Sequence, residues 1–472
     1  MLKQSLLSVA NAIYYLFTRR HILEGRFNPK TGRYRNWDGS HGQTPPSYVL
    51  PASDEELATV VRGARRVSCV GAGHSFNALH LGGEVVVSLD RYEGVVSHDL
   101  NAKTATFRAG TRMRDVNEFI EPLELALPLL PDHNAQSIAG VLATDVHATA
   151  RVGRPGYISE YVTALKVMDG AGKVHTAEKG SPLFRATIGG MGCTGIILEA
   201  TFQAEPIFRL NTRSFSCSFD ELVGNLDTWY EEFDHFGAAY FPAADLSVVE
   251  AKKRSTEKIS WLGSFREDFK HVNEAIALAL LLPITIRCGR FGKKLGGGLL
   301  WAFTRLGDVL FTPLVLTSWQ GFNRNVYHIH KEIEFACTPE QGRKVFARAK
   351  EVFDQDPNHS YYMIGVRRTR TNENTMVGPG AGAPDQELMW MAPHLVGNTP
   401  RPEDEAIWRQ IIEDAEGRPH CGKNLVGITP EYIAAQLPEW NDFLRVVDEM
   451  DPQRKFTNDL VRATLENRKS EG

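Results

Sequence analysis

Three small-residue segments in the first half of the chain carry polar groups where they could line an extended ligand. VGAGHSF (70–76) sets Gly71 and Gly73 in a turn, followed at once by His74. Glycines there permit positive φ and the close approach of a diphosphate to backbone N–H groups. LPDHNAQSIAGVLATDVHATARVG (130–153) alternates Asn134, Gln136, Ser137 and Thr144 with small residues such as Gly140 and Ala143, and adds His147. IGGMGCTGII (188–197) contributes Gly189, Gly190, Gly192 and Gly195. One such loop is a weak signal. The dinucleotide fingerprint GxGxxG would need glycine where Phe76 stands, and the GK[ST] phosphate loop is absent. A lone histidine after a glycine turn is also more often a hydrogen-bonded structural residue than a reactive one. Three segments together suit a large ligand with a diphosphate and a ring system. A mononucleotide does not need so much lining.

A fold must bring these segments to one place. Between 48 and 205 short apolar strands alternate with helical stretches, as in an α+β domain. EELATVVRGA (55–64) has helical spacing, with Ser53 as N-cap and Glu56 completing a capping box. VSCVGAG (67–73), EVVVSLD (84–90) and TATFRAG (104–110) read as strands, and MRDVNEFIEPLE (113–124) as a helix. A hairpin is expected at 161–177 around Asp169–Gly170, and a strand ending at Pro206. Beyond about residue 210 aromatics and long apolar runs increase. Residues 331–365 read as a strand, a turn at Pro339, an amphipathic helix and a further strand, a second unit on an antiparallel sheet. Helices are expected around 404–414, 430–437 and 440–449.

The whole chain, 472 residues, is too long for one small core, so two domains are expected. A net charge of −4 offers no field to hold a polyanion and disfavours nucleic-acid binding. The six cysteines (Cys69, Cys193, Cys217, Cys288, Cys337, Cys421) form no CxxC pair, which argues against a zinc site and a disulfide scaffold. A reducing, cytoplasmic setting is the simplest reading. The apolar stretch Ser5–Thr18 is shorter than the about 20 residues that span a bilayer. Arginines follow the run rather than precede it, so a signal peptide fits less well than a packed or surface-lying amphipathic helix. For the apolar runs 275–286, 298–303 and 309–319, buried helices of a second domain are the first reading; a peripheral membrane patch is the alternative.

Five stretches carry a resemblance: NWDGS (36–40), VGAGHSF (70–76), LALPLLPDHNAQSIAGVLATDVHATA (125–150), IGGMGCTGI (188–196) and RPHCGK (418–423). With the ending DPQRKFTNDL (451–460), they resemble the vanillyl-alcohol-oxidase-type flavoproteins, in the branch of gulonolactone, arabinonolactone and alditol oxidases. The resemblance implies an α+β, two-domain FAD-binding fold of the PCMH type with a second, substrate (cap) domain on an antiparallel sheet. Its parts would be an N-terminal segment (1–36), an FAD-binding domain (37–207), a cap domain (208–400) and a C-terminal segment (401–472) returning to the active site.

By the same resemblance FAD is bound covalently through His74. Gly71, Ala72, Gly73, Ser75, Phe76 and Asn77 would hold the pyrophosphate side, and Ser137, Gly140, Thr144 and His147 would line flavin and ribityl. Gly195 and Ile196 complete the cofactor site, Ile196 near the adenine end. His420, Lys423, Arg367 and Ser137 are the implied catalytic residues, with His420 as base, or else a structural histidine. Arg367 would stabilise negative charge on the reduced ring, or belong to a solvated cluster in RRTR. The expected reaction is oxidation of a CH–OH group of a sugar lactone or polyol by hydride transfer to flavin N5, with oxygen or another acceptor reoxidising the cofactor.

Three departures touch the substrate side. Gly365 stands where the family has the glutamate of a Glu-x-Arg pair, Cys421 where it has tryptophan, and Asp145 where it has glycine. They favour, as an alternative, a larger hydrophobic or specialised-metabolite substrate on the same fold. A non-catalytic, membrane-associated protein of the same fold is the reading from another class, and it predicts colourless protein. Glu334 in KEIEFA matches a site-facing family strand only loosely. His328 and His330 share one face of a strand, but no metal is expected there, since the sequence puts no further ligands nearby.

Overall fold

Parallel pairing of three short strands presents the first glycine turn. Val67–Val70 pairs with Val85–Ser88, which pairs with Ser47–Val49, and the turn begins where Val67–Val70 ends. The computed structural model describes residues 2–18, 22–151, 153–272, 298–299, 301–302, 313–323, 328–356, 359–397 and 399–470. Helix Asp54–Gly63 buries Leu57, Ala58 and Val61 beside these strands. Ser53 Oγ caps it through Glu56 N, while the Glu56 carboxylate reaches one residue further back, to Ala52 N at 2.8 Å. An antiparallel five-stranded sheet follows, with Val162–Met168, Ile196–Gln203 and Thr104–Arg108 at its centre. The expected hairpin forms from Val162–Met168 and Val174–Glu178, but its loop is longer than a two-residue turn. Asp169 Oδ1 accepts from both Ala171 N and Lys173 N and so organises it.

The second unit is a nine-stranded sheet in which every pairing is antiparallel. Arg209–Cys217, His235–Phe241, Leu246–Ser255, Tyr361–Arg370 and Glu387–Val396 are its long strands. Residues 330–337 give two short strands rather than one. His330–Glu332 and Phe335–Cys337 both pair with Glu387–Val396, leaving Ile333 and Glu334 in the break. Pro339 makes no turn: it opens helix Pro339–Gln355, which Thr338 and Gln341 close with a capping box. Residues 313–319, the described part of the apolar run 309–319, also differ from the helix expected there. Leu314–Thr317 is a strand beside Arg209–Thr212, because its β-branched and apolar residues fit a pleated, buried surface. The run 275–286 lies outside the described residues.

The chain ends bind the two sheets to the glycine turn. A small sheet of Arg26–Asn28, Arg33–Arg35 and Gly42–Gln43 straddles the expected boundary at 36/37, so the segment before 37 is structurally part of this region. Gly25 N donates to Ala72 O and Trp37 N to Gly73 O. From the other end, Val67 N donates to Lys455 O and Phe76 N to Gly422 O. Helix Leu2–Thr18 packs by polar groups: Ser8 Oγ accepts from Ile329 N, and Asn11 Oδ1 from Ile22 N and Leu23 N. Its outer face exposes Leu6, Leu7, Ile13, Tyr14 and Phe17. No helix among the described residues is long and apolar enough to cross a membrane.

Asp145 has a left-handed backbone (φ +49), the conformation that makes glycine the easy choice there. Its buried carboxylate accepts from Ser159 Oγ at 2.9 Å and from Asn372 Nδ2 at 2.9 and 3.0 Å, joining the second glycine-rich loop to the nine-stranded unit. Burial raises its pKa to about 7, against the pull of those hydrogen bonds. The stability this group contributes is therefore fully present below its ordinary pKa and lost as pH rises through about 7. Asn tolerates positive φ and carries no charge. Asp145→Asn is thus expected to flatten the fall in melting temperature between about pH 5 and 8, and to be on the order of 2–4 kcal/mol more stable at about pH 8. Thermal unfolding across that range checks this; an unchanged pH slope would contradict it.

Candidate active site

One cleft of about 260 Å³ is lined by all the residues expected at the site, from His74 and the glycine turn to Arg367, His420 and Lys423. On its first wall, small residues let loops approach closely. A Cβ on Gly71 would stand 2.0 Å from Ser137 Oγ, and Gly73, at φ +67, lies against Gly25 and the Tyr34 hydroxyl. Gly192, at φ +78, faces open space, and Gln136 Oε1 is buried in the lining without a partner. A smooth backbone wall with an unpartnered acceptor fits a bound dinucleotide such as FAD. Ser137 has a local duty as well. Its Oγ caps helix Ile138–Ala143 through Gly140 N at 3.3 Å, which sets it on the wall facing Gly71.

His74 lies in this wall with its two nitrogens in different states. Nε2 is 3.2 Å from Leu23 O, a carbonyl that can only accept, so Nε2 carries the proton. Nδ1 is left with a lone pair and no partner. Burial pushes the imidazole down to about 4, so it is neutral near pH 7. Leu23, from a segment assigned no site role on sequence grounds, thus fixes the tautomer.

The opposite wall is polar. Glu332 and Glu334, two residues apart, project from the broken strand onto Lys423, whose Nζ lies 2.5 Å from Glu332 Oε2 and 3.4 Å from Glu334 Oε2. Arg367 reaches Glu334 Oε1 at 3.5 Å and also pairs with Asp132. Burial opposes ionisation of Glu334, only 2% exposed, but the Lys423 ammonium beside it holds the carboxyl well below its ordinary value. The acid missing at Gly365 is therefore present beside Arg367, supplied by Glu334. Asn77 clamps the turn that carries Lys423, donating to Cys421 O at 2.5 Å and Lys423 O at 2.8 Å. Cys421 itself is buried, its thiol pushed up to about 12 by burial.

Two histidines complete the cluster. His420 Nδ1 accepts from Gly422 N at 3.0 Å, so in the neutral ring Nε2 holds the proton. Burial lowers it to about 3. In this state its Nε2–H is a hydrogen-bond donor, and its Nδ1 lone pair is engaged by Gly422 N. His147 is stacked on Trp390 at 3.5 Å, and its Nε2 lies 3.2 Å from Glu334 Oε1 but out of hydrogen-bond alignment. Neither of its ring nitrogens has an aligned partner.

The sequence reading missed Glu332, Asp132, His394 and Trp390, and gave Glu334 only a loose place. The one local signal was the alternation in KEIEF, which puts two acids on one face. It also placed no ligands near His330, whereas His330, Glu332 and His394 stand together, as do His147, Glu334 and His420. Both carboxylates in these groups already face the Lys423 ammonium, which occupies the electrostatic place of a metal cation.

Comparison with known proteins agrees with this architecture. An FAD-binding domain model matches residues 45–178, and a D-arabinono-1,4-lactone oxidase model matches residues 200–464. The chain is 25% identical over 448 residues to L-gulono-1,4-lactone dehydrogenase of Mycobacterium tuberculosis, covering 92% of this chain and 99% of that protein. It is 23% identical to L-gulonolactone oxidase of Scyliorhinus torazame, covering 92% and 98%. Among solved structures, cholesterol oxidase from B. sterolicum shares the fold, with a TM-score of 0.73 at 16% identity over 91% of this chain and 96% of that one. With a model of that family spanning more than half of its length, the chain belongs to the D-arabinono-1,4-lactone oxidase family and is an FAD-dependent oxidoreductase.

Proposed function

We propose that the protein oxidises a CH–OH group of a lactone or polyol, with FAD held covalently at His74 Nδ1. Residues 37–207 then form the flavin-binding part, 208–400 the substrate-binding part, and 401–472 return Lys423 and His420 to the cleft. When bound, the flavin supplies the hydride acceptor, at N5. The observation that carries the reading is the wall of Glu334, Lys423, Arg367, His147 and His420 facing the glycine-lined wall across one cleft. His420 Nε2–H and the Lys423 ammonium donate to the substrate oxygens and orient the carbinol. His147 takes the hydroxyl proton at Nδ1, which has no partner: Nε2 faces the Glu334 carboxylate at 3.2 Å and so keeps the ring's own proton, and burial lowers the pKa despite Glu334. Glu334, beside it, stabilises the imidazolium that results. Arg367, held by Asp132 and Glu334, keeps positive charge in the cleft as charge develops. The resident cation is Lys423, and no metal is part of the proposal.

The test is anaerobic mixing with D-arabinono-1,4-lactone, L-gulono-1,4-lactone and alditols while the flavin absorbance is followed. Bleaching by a lactone or polyol is expected; no bleaching by any member of the panel would reject the reading. Readmitting oxygen, and separately an artificial acceptor, identifies the oxidant. Peripheral membrane contact is supported by the exposed apolar row of helix Leu2–Thr18 and by exposed Trp261 and Phe265. Liposome flotation tests it, with the protein expected in the floated fraction.

A further inference from the structure

Beyond the reacting cleft lies a second cavity of about 140 Å³, and the two meet at Asp132, Glu334, Arg367 and His394. Its walls are mixed, somewhat more apolar than polar, with Leu130, Phe236, Ala238, Phe322 and Val366 forming the apolar part. An apolar cavity of about 150 Å³ takes a benzene-sized group. Gly365 lines it, and a Cβ there would meet Ala392 Cβ at 3.3 Å and His394 Cε1 at 3.7 Å. Any longer side chain at 365 would enter the space beside His394, so the glycine keeps the passage open.

The cavity also carries unpartnered polar groups. His235, 5% exposed, donates from Nδ1 to Thr149 O at 2.9 Å, so its Nε2 is an acceptor, and that atom has no partner. Burial lowers the ring to about 4, which keeps the acceptor unprotonated near pH 7. Thr149 Oγ1, equally buried, is unpartnered, and the half-buried Lys252 adds an ammonium to the same lining. Buried polar atoms left without partners cost stability unless a ligand satisfies them. A hydroxyl suits this set, because it donates to His235 Nε2 and accepts from Thr149 or Lys252.

We propose that this cavity is a subsite for the substrate's body, and that it takes a ring-sized apolar group bearing a hydroxyl. The compound oxidised is then a hydroxylated aryl or alicyclic alcohol or lactone, larger than a simple sugar lactone. The inference rests on the oxidative reading of the cleft. The charged groups beside the cavity do not fill the role of its hydroxyl partner: Glu250 is paired with Lys270, and His271 with Glu267.

The probes are tyrosol and phenethyl alcohol, which share a ring and a primary alcohol and differ by one distal hydroxyl. Binding to the flavin-loaded protein is measured by calorimetry, independently of turnover. Tyrosol is expected to bind about tenfold more tightly. His235→Phe, which keeps a planar ring and removes the acceptor, is expected to erase that preference, and Gly365→Val to weaken both ligands. Equal binding of the pair to the wild-type protein, or a preference kept in His235→Phe, would overturn the proposal; the wild-type comparison needs no variant to fold. Reduction by simple lactones without discrimination between the probes would sink the subsite and leave the lactone reading standing. Discrimination without reduction by any lactone would do the reverse.

Discussion

His74→Ala protein is expected to release all of its flavin on acid precipitation, whereas the wild-type pellet stays yellow. The geometry supplies the reason. An imidazole attacks through the lone pair of its unprotonated nitrogen, and in a buried histidine that lone pair is ordinarily taken up by a hydrogen-bond donor. Here Leu23 O holds the proton on Nε2 and leaves Nδ1 bare in the cleft wall. With its pKa lowered to about 4 by burial, the ring is neutral, and so nucleophilic, at any pH above about 5. Alanine removes the attachment atom but leaves the glycine walls, so the variant should still bind flavin reversibly. Absorption of the supernatant and pellet after precipitation decides it. Covalent flavin in His74→Ala, or its release from the wild type, would show that the anchor lies elsewhere.

Glu334→Gln is expected to slow flavin reduction by about 10²–10⁴-fold with flavin content unchanged. Glutamine keeps the shape and loses the charge beside His147, Lys423 and Arg367. Removing one partner of a buried ion pair commonly costs about 3–5 kcal/mol because a charge is left unpaired. Here Lys423 keeps Glu332 at 2.5 Å and Arg367 keeps Asp132, so the stability loss should fall well short of that. The kinetic loss should dominate, because the imidazolium formed on His147 loses its neighbouring anion. Stopped-flow reduction alongside thermal unfolding separates the two. A lower melting temperature with an unchanged reduction rate would make Glu334 a structural residue.

The backbone of the cofactor wall was legible in the sequence because its demands are local. A positive φ at Gly73 and close approach at Gly71 require glycine whatever surrounds them, and His74 is next in the chain. The resemblance of its motifs to the family pointed to RPHCGK and Arg367, and to the FAD-binding architecture. The readings that failed were those in which distant partners overrule local pattern. A partner strand drew Leu314–Thr317, read as helical, into sheet, and a break opposite Glu387–Val396 split an expected strand in two.

By itself, then, the sequence determined where the chain could bend tightly around a cofactor and which residue types stood ready there. Only the tertiary structure decided their chemical states. Leu23 O and Gly422 N, far from His74 or set by a turn beside His420, select the tautomers. The broken strand brings Glu334 to Arg367 in place of the acid absent at Gly365, and burial sets the charge of each group. Tautomer and pKa depend on the field and hydrogen bonds at a point in space, and those come from neighbours that the order of residues along the chain does not place together.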